Sequence, residues 1–270
     1  MKNSRLGFLG AGNIAYAIVR GILASRYLVP EQIYLYDPSE VSLSKFDDLG
    51  VNYEQSACEL VQNCDILFFT VKPQVCPSVL AQIGPFFNLN QCLVTVCAGI
   101  PISFFASVLG ERAKIIRVMP NTPLLVGEGA SAITTSTTVL ENEFEFVQGI
   151  FSACGTTQVV KEEAMSAVTA VSGSGPAYFF YLAERVCDWA QNNSLSPQTA
   201  LELFCQTMQG AAKMMLESGN TPQELRQAVT SPNGTTQAAL EAYEQNEFSQ
   251  AFIAGLEACK HRSDELSAMQ

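Results

Sequence analysis

Gly10-Ala11-Gly12-Asn13-Ile14-Ala15 follows an apolar run at residues 6–10 and opens a helical pattern over 13–25. Strand, glycine turn and helix in that order make a phosphate cradle: Gly10 permits the tight turn, Gly12 lets the backbone approach a pyrophosphate, and Ala15 keeps helix and strand close. Further strands are expected at 33–36, ending at Asp37, and at 66–71, stopped by Lys72-Pro73. Two more fall at 93–97 and 115–118, closed by Ala98-Gly99 and by Met119-Pro120-Asn121-Thr122-Pro123. Strands at 130–134 and 158–160 flank a helix around 141–154. Strands alternating with helices predict an α/β domain over 1–160, a doubly wound Rossmann-type parallel sheet. Ligands bind such a sheet outside the carboxyl ends of its strands, so these turns should line one crevice. Asp37 stands where a carboxylate bonds the ribose hydroxyls of NAD, and the next cation in sequence, Lys45, is two helical turns on. The reading therefore leans towards NADH over NADPH. Lys72 suits a place near the cofactor's ribose or phosphates, or a solvated strand end.

From Lys161 the apolar period changes to 3.6, predicting an all-α half over 161–270. Pro176, after Ser172-Gly173-Ser174-Gly175, sits where proline opens a helix, expected over 177–190. Ser196-Pro197 and Thr221-Pro222 open helices to about 216 and 229. Tyr178, Phe179, Phe180, Tyr181 and Leu182 in one long helix, and Leu201, Leu203, Phe204, Met208, Met214 and Met215 in the other, leave little polar face. Helices apolar all round need burial on all sides. About 110 residues can scarcely bury both, which predicts self-association through this half, at least to a homodimer.

Ser231-Pro232-Asn233-Gly234-Thr235-Thr236 begins a further helix, 237–244, with small residues only. Its first N–H groups are left uncovered, a ready anion site, although such a loop taken alone is more often a plain helix cap. With the cradle at Gly10, the chain would hold two anionic molecules: a dinucleotide and a small carboxylate.

Composition narrows the rest. The chain is 48% hydrophobic with a net charge of -11. That balance argues against nucleic acid and anionic membranes as partners, since both attract clustered Lys and Arg. Nine cysteines without a CxxC pair read as reduced core residues. No metal site is read from the sequence. No apolar run reaches the ~18 residues of a membrane span, and Met1-Lys2-Asn3-Ser4-Arg5 leads straight into a strand, so a cytoplasmic protein is expected. The only histidine, His261, lies between Lys260 and Arg262 near the end of the last helix and reads as a surface residue. Dehydrogenation of an alcohol usually needs a His or Lys base. Neither occurs in the Gly- and Ser-rich mouths, so the hydride acceptor should need little acid help. A C=N bond qualifies, its nitrogen arriving already protonated, and Thr235 and Thr236 supply hydroxyls to hold such a group.

Over essentially its whole length the chain resembles the pyrroline-5-carboxylate reductases. The resemblance is carried by Gly7-Phe8-Leu9-Gly10-Ala11-Gly12-Asn13-Ile14-Ala15, by Val71-Lys72-Pro73-Gln74 and by Arg117-Val118-Met119-Pro120-Asn121-Thr122-Pro123. Ser172-Gly173-Ser174-Gly175-Pro176-Ala177-Tyr178 and Val229-Thr230-Ser231-Pro232-Asn233-Gly234-Thr235-Thr236 complete it. It implies hydride transfer from NAD(P)H to the C=N carbon of 1-pyrroline-5-carboxylate, the last step of proline biosynthesis. It further implies that Val71, Lys72, Pro73, Ala98 and Asn121 join residues 10–15 and Asp37 at the cofactor. Glu162, Ser231, Asn233, Gly234, Thr235 and Thr236 would border the substrate, Thr236 nearest the ring nitrogen as the catalytic group. Family members pair through their helical domains, often assemble further, and build each substrate pocket from two subunits. The chain departs from the family at Asn233, usually a second glycine, at Ala228, an asparagine in some members, and at Asp37, often small or basic. A 3-hydroxyacid dehydrogenase would need a catalytic lysine in the helical half, where Lys213 lacks the expected neighbours. A sensor that binds NAD(P)H without turnover is the non-enzymatic alternative.

Overall fold

The computed structural model describes residues 4–268; Met1, Lys2 and Asn3, part of the start read as leaderless, lie outside them. Eight strands, β1 (Leu6–Leu9), β2 (Ile33–Tyr36), β3 (Asn52–Tyr53), β4 (Ile66–Phe69), β5 (Cys92–Thr95), β6 (Lys114–Met119), β7 (Gly129–Thr135) and β8 (Gly155–Val159), form one sheet in the order β3-β2-β1-β4-β5-β6-β7-β8. The order reverses between β1 and β4, the switch point at which a doubly wound sheet opens its crevice. β1, β4 and β5 are buried along their whole length, as strands covered on both faces must be. The helices are α1 (Asn13–Ala24), α2 (Glu40–Leu43), α3 (Ala57–Asn63), α4 (Cys76–Ile83), α5 (Ile102–Leu109) and α6 (Glu141–Ser152). Ile18, Ile22 and Phe151 pack one face of the sheet against Phe8 and Phe68; Leu60, Leu80 and Phe105 pack the other against Phe69 and Leu93.

Some details differ from the sequence reading. β7 runs antiparallel to β6, pairing Val118 with Ile133, although every other pair is parallel. The link between them holds only a 3₁₀ turn, Thr122–Val126, and Gly127 in the left-handed region. A parallel return needs a crossover of a dozen or more residues, so this chain can only turn back. Cysteines are not uniformly core residues: all nine are free and five are buried, but Cys205 is exposed. It lies on a helix whose outer faces nothing in the single chain covers.

The chain divides into two compact units, one reaching to Pro176 and including the chain from Cys259 onward, the other Ala177–Ala258. Residues 161–176 are helical in period, yet they belong with the sheet because their side chains bond there. Met165 is 1% and Ala170 3% exposed. They lie on α7 (Met165–Val168) and on the π turn Thr169–Gly173, which the Ser174 N–H closes onto the Thr169 carbonyl at 2.8 Å. Cys259 Sγ is 3.3 Å from Ser174 Oγ, and Ser263 is buried, so the end of the last helix joins this unit too.

The second unit takes most of α8 (Gly175–Gln191), then α9 (Pro197–Glu217), α10 (Pro222–Ala228), α11 (Thr235–Gln245) and the first half of α12 (Phe248–Ala268). Ser196 and Thr221 cap α9 and α10 by accepting from the N–H groups of Thr199 and Glu224. Among its described hydrophobic residues only Ala190 and Ala200 are buried, while Phe180 is 62%, Leu203 59% and Met214 53% exposed. The unit has no apolar core within one chain.

Candidate active site

Gly10 ends β1 at φ +104, where a Cβ would meet the Thr70 carbonyl carbon and oxygen at 2.9 Å. Only glycine lets β1 and the end of β4 approach so closely. Gly12, the N-cap of α1, has ordinary extended angles, makes no side-chain cap, and a Cβ there would meet nothing within 4 Å. The space beside it is open, and the first N–H groups of α1 point into the region that a pyrophosphate needs. Asn13 is exposed, Ile14 half-buried, and Ala11 and Ala15 buried. A cavity of about 660 Å³ at the carboxyl ends of β1, β2 and β4 is lined by Gly10, Gly12, Asp37, Val71 and Lys72 among others. The cradle fits a dinucleotide.

Asp37 lies at the end of β2 as expected, and both its oxygens are held. Oδ2 accepts from the Ala11 N–H and Oδ1 from the Ser39 N–H, each at 2.8 Å. The carboxylate is thus fixed at the rim of the cradle with lone pairs to spare for ribose hydroxyls. Lys45, distant in sequence, is brought back: its Nζ donates to Asn13 Oδ1 at 3.1 Å. The cause is Phe46, fully buried and edge-on to Tyr16 of α1 at 5.3 Å, which draws residues 44–49 onto that helix. A cation therefore stands near the cradle, opposing the electrostatic bias of Asp37.

Further along the same edge, Pro73 and Ala98 are half-buried and Lys72 exposed. Asn121 is buried and fully engaged: Oδ1 accepts from the Ala130 N–H at 2.9 Å and Nδ2 donates to the Ser172 carbonyl at 3.0 Å. Its amide ties the turn after β6 to the Ser172–Gly175 motif. Glu162 Oε1 takes two donors, Arg117 Nη1 at 2.6 Å and the Ile102 N–H at 3.1 Å. It thereby neutralises a buried guanidinium and caps α5 at once. Beside Ala98, the Cys97 thiol is pushed below its ordinary range by hydrogen bonding to Cys76, helped by Thr95 and the Arg117 charge, while Cys76 is pushed up by the same bond and by burial.

In the helical unit, Asn233 adopts the left-handed conformation, φ 57, that its place in the loop requires. Its N–H donates to Gln237 Oε1 at 2.8 Å, and the Gly234 N–H closes onto the Ser231 carbonyl at 3.0 Å. α11 starts at Thr235, two residues earlier than the sequence suggests, with Gly234 as a bare N-cap. Thr235 and Thr236 thus occupy the first turn, where N–H groups lack intrahelical partners and no side chain caps them. Thr236 is half-buried, Thr235 and Ser231 exposed. The loop offers hydroxyls and a helix dipole and no titrating group. His261 is exposed and faces Glu265 at 3.2 Å; Lys213 is exposed, 3.9 Å from Glu217. Neither is a buried base.

Residues 162–266 match the family model for pyrroline-5-carboxylate reductase dimerisation, and residues 5–99 that for the coenzyme F420-dependent NADP oxidoreductases. The chain is 37% identical to the pyrroline-5-carboxylate reductase of Escherichia coli over 97% of its own length and 98% of the relative's. It belongs to the pyrroline-5-carboxylate reductase family. The Arabidopsis thaliana member is also 37% identical, across 98% of this chain and 96% of that one. The crystal structure of the Plasmodium falciparum pyrroline carboxylate reductase with NADP bound superposes with a TM-score of 0.91 at 33% identity, covering 99% of each chain.

The sequence reading of this reductase-family chain set Lys45 aside as distant and gave Arg117 no role of its own. Nothing local marks Lys45, whose position depends on Phe46 docking. Arg117 carried a signal, a charge inside the apolar strand Ile115-Ile116-Arg117-Val118, since a buried charge demands a partner.

Proposed function

We propose that the protein reduces 1-pyrroline-5-carboxylate to L-proline, the last step of proline biosynthesis. The observation that carries this reading is the bare first turn of α11, where Thr235 and Thr236 stand with no capping side chain in a chain that also holds the Gly10–Ala15 cradle. Bound in that cradle, NADH or NADPH supplies the hydride that reaches the C=N carbon. The first N–H groups of α1 and Gly12 hold the pyrophosphate, Asp37 the ribose hydroxyls, and Val71, Lys72, Pro73 and Ala98 the adjoining edge. In the helical unit the N–H groups of Thr235 and Thr236 hold the substrate carboxylate, with Ser231, Asn233 and Gly234 shaping the loop around it. The Thr236 hydroxyl accepts the ring N–H and holds the C=N carbon in line for the hydride. Because the imine arrives protonated, no side-chain acid is needed, consistent with a loop free of His and Lys.

The missing core of the helical unit supports self-association: a second copy covers the faces bearing Phe180, Leu203 and Met214 in at least a homodimer. No helix of the described residues is long and apolar enough to cross a membrane. Nine free thiols suit the reducing cytoplasm.

Following NADH and NADPH absorbance with pyrroline-5-carboxylate, and separately with a 3-oxoacid, tests the reading. Turnover of the cyclic imine alone is expected. Turnover of the oxoacid alone would make the protein a hydroxyacid dehydrogenase, and cofactor binding without turnover a sensor. Thr236→Ala should lower kcat/KM by about one to three orders of magnitude, the loss of one transition-state hydrogen bond; an unchanged value would remove Thr236 from the mechanism.

A further inference from the structure

Gly99 lies in a turn and is nevertheless buried. Its φ of +74 accounts for part of the choice of glycine. The rest comes from what lies over it. A Cβ there would stand 2.9 Å from the Leu266 Cβ, with the Leu266 carbonyl carbon at 3.7 Å and the Ser263 carbonyl oxygen at 3.8 Å. Leu266 belongs to the last turn of α12, in the stretch from Cys259 onward that forms part of the first compact unit. Cys259, Ser263 and Leu266 recur at the i, i+4, i+7 spacing of one helix face, and that face is the one turned inward. Cys259 Sγ is 3.3 Å from Ser174 Oγ, Ser263 is 4% exposed, and Leu266 covers Gly99. Beside them, hydrogen bonds from Ser166 and then Lys260 hold the Asp264 carboxyl below the ordinary carboxylate range. The end of α12 is therefore pinned to this unit.

What it is pinned against is an edge of the crevice. β5 ends at Thr95, and the chain passes through Cys97, Ala98 and Gly99 before α5 begins at Ile102. Cys97 Sγ donates to the Val71 carbonyl at 3.3 Å, and the Cys97 N–H to Thr95 Oγ1 at 3.2 Å. The turn after β4 and the turn after β5 are thus joined on one side, and α12 closes on the second of them from the other. In a doubly wound sheet with the cofactor's phosphates on α1, the adenosine lies towards β2 and the second nucleotide falls on the β4–β5 side of the switch point. This edge accordingly faces the reactive ring. Hydride transfer depends steeply on where that ring sits, a displacement of about 1 Å costing on the order of a hundred-fold in rate.

We propose that Leu266 is a positioning residue for the reductase reaction: packed on Gly99, it sets the place of the Ala98–Gly99 turn and hence of the nicotinamide that lies against it. This rests on the reading above and adds to it a residue of the last helix that acts on the cofactor without touching it. Leu266 is 37% exposed, so the outer part of its side chain is not core. The contact runs through the Cβ and the base of the side chain, all of which glycine at this position removes.

Leu266→Gly provides the test. Measured are kcat and KM for pyrroline-5-carboxylate at saturating NADH, the dissociation constant of ADP-ribose, which lacks the nicotinamide, by titration calorimetry, and thermal unfolding. The kcat should fall about ten- to a hundred-fold while KM for the imine stays within about threefold and ADP-ribose binds within about twofold of wild type. Leu266→Met, which keeps the Cβ and a similar length, should recover most of the loss. A glycine variant with kcat within about twofold of wild type would overturn the proposal. So would a fall in kcat matched by an equal loss of ADP-ribose affinity and a lowered Tm, since that pattern marks general loosening of the unit. Should Leu266→Gly fail to fold, Leu266→Ala decides: a loss of about threefold in kcat is expected, and an unchanged kcat overturns the proposal. Wild-type turnover of pyrroline-5-carboxylate is measured alongside. Its absence sinks the reading of function, whereas normal wild-type turnover with an unaltered variant sinks only this inference.

Discussion

Replacing Gly12 with alanine should leave the fold intact and weaken cofactor binding, a separation that Gly10→Ala cannot give. At Gly12 the backbone is φ -75, ψ -178, open to any residue, and the added Cβ meets nothing within 4 Å. Alanine is poorer than glycine as an N-cap but constrains the unfolded chain, effects of about 0.5–1 kcal/mol each and opposite in sign. Stability should therefore change by less than about 1 kcal/mol. At Gly10 the same methyl stands 2.9 Å from the Thr70 carbonyl at φ +104, so the ends of β1 and β4 must separate and the fold itself suffers. The methyl at Gly12 enters the space where a pyrophosphate meets the α1 amides. Losing one charged hydrogen bond there costs about 1.5–3 kcal/mol, or roughly ten- to a hundred-fold in affinity. The assay is thermal unfolding with and without NADH at about 100 times the wild-type Kd. Ligand at that excess stabilises wild type by about 2.7 kcal/mol. For a chain of this size that is a shift of about 5–10 °C in Tm. A hundred-fold weaker variant sits at its own Kd and gains only about 0.4 kcal/mol, roughly 1 °C. A Gly12→Ala protein with wild-type Tm and the full NADH shift would refute the cradle.

Cofactor choice follows from two opposed charges. Asp37→Ser removes the carboxylate pinned by the Ala11 and Ser39 N–H groups and should raise the NADPH-to-NADH ratio of kcat/KM by about tenfold, the size of one like-charge contact in solvent; Lys45→Gln should lower it, and a ratio that ignores both would clear these residues of any part in discrimination. Phe180→Asp places a charge on an exposed apolar face of α8 and should convert the assembly to monomer at micromolar concentration in sedimentation experiments, whereas an unchanged sedimentation coefficient would put the interface elsewhere. Asn233→Gly should match or exceed wild-type stability because φ 57 favours glycine, while Asn233→Ala should lose about 1 kcal/mol; equal Tm values for the two variants would show that the loop is unstrained.

The sequence was most legible where structure is decided within a few residues. β2 is expected and found at Ile33–Tyr36, because four alternating apolar positions end at a charged residue. The glycine turn before α1 is equally local. β3 was missed: Asn52–Tyr53 is a strand only because the backbone of β2 is there to pair with it. α2, α3, α4 and α5 are four to eight residues long, too short for their period to declare itself. The reversal of β7 could have been read from linker length, because the link is too short to cross over. Site residues divide in the same way. Asp37 and Asn233 are set by strand-end and loop chemistry beside them, so their backbone settings follow from neighbouring residues. Arg117 and Glu162 are 45 positions apart, and only the closed sheet makes them a pair.

Self-association was legible for a different reason. Apolar area is additive along a chain, and a helix such as α9 states how much surface must leave water whatever lies opposite it. In the second unit, among the described residues, only two alanines achieve burial within a single chain, so the remaining apolar area is a demand that one copy cannot meet. The size of that demand is readable in the sequence itself. What meets it is a matter of shape, and therefore of experiment: the Phe180→Asp sedimentation measurement asks directly whether the uncovered faces are where a second copy sits.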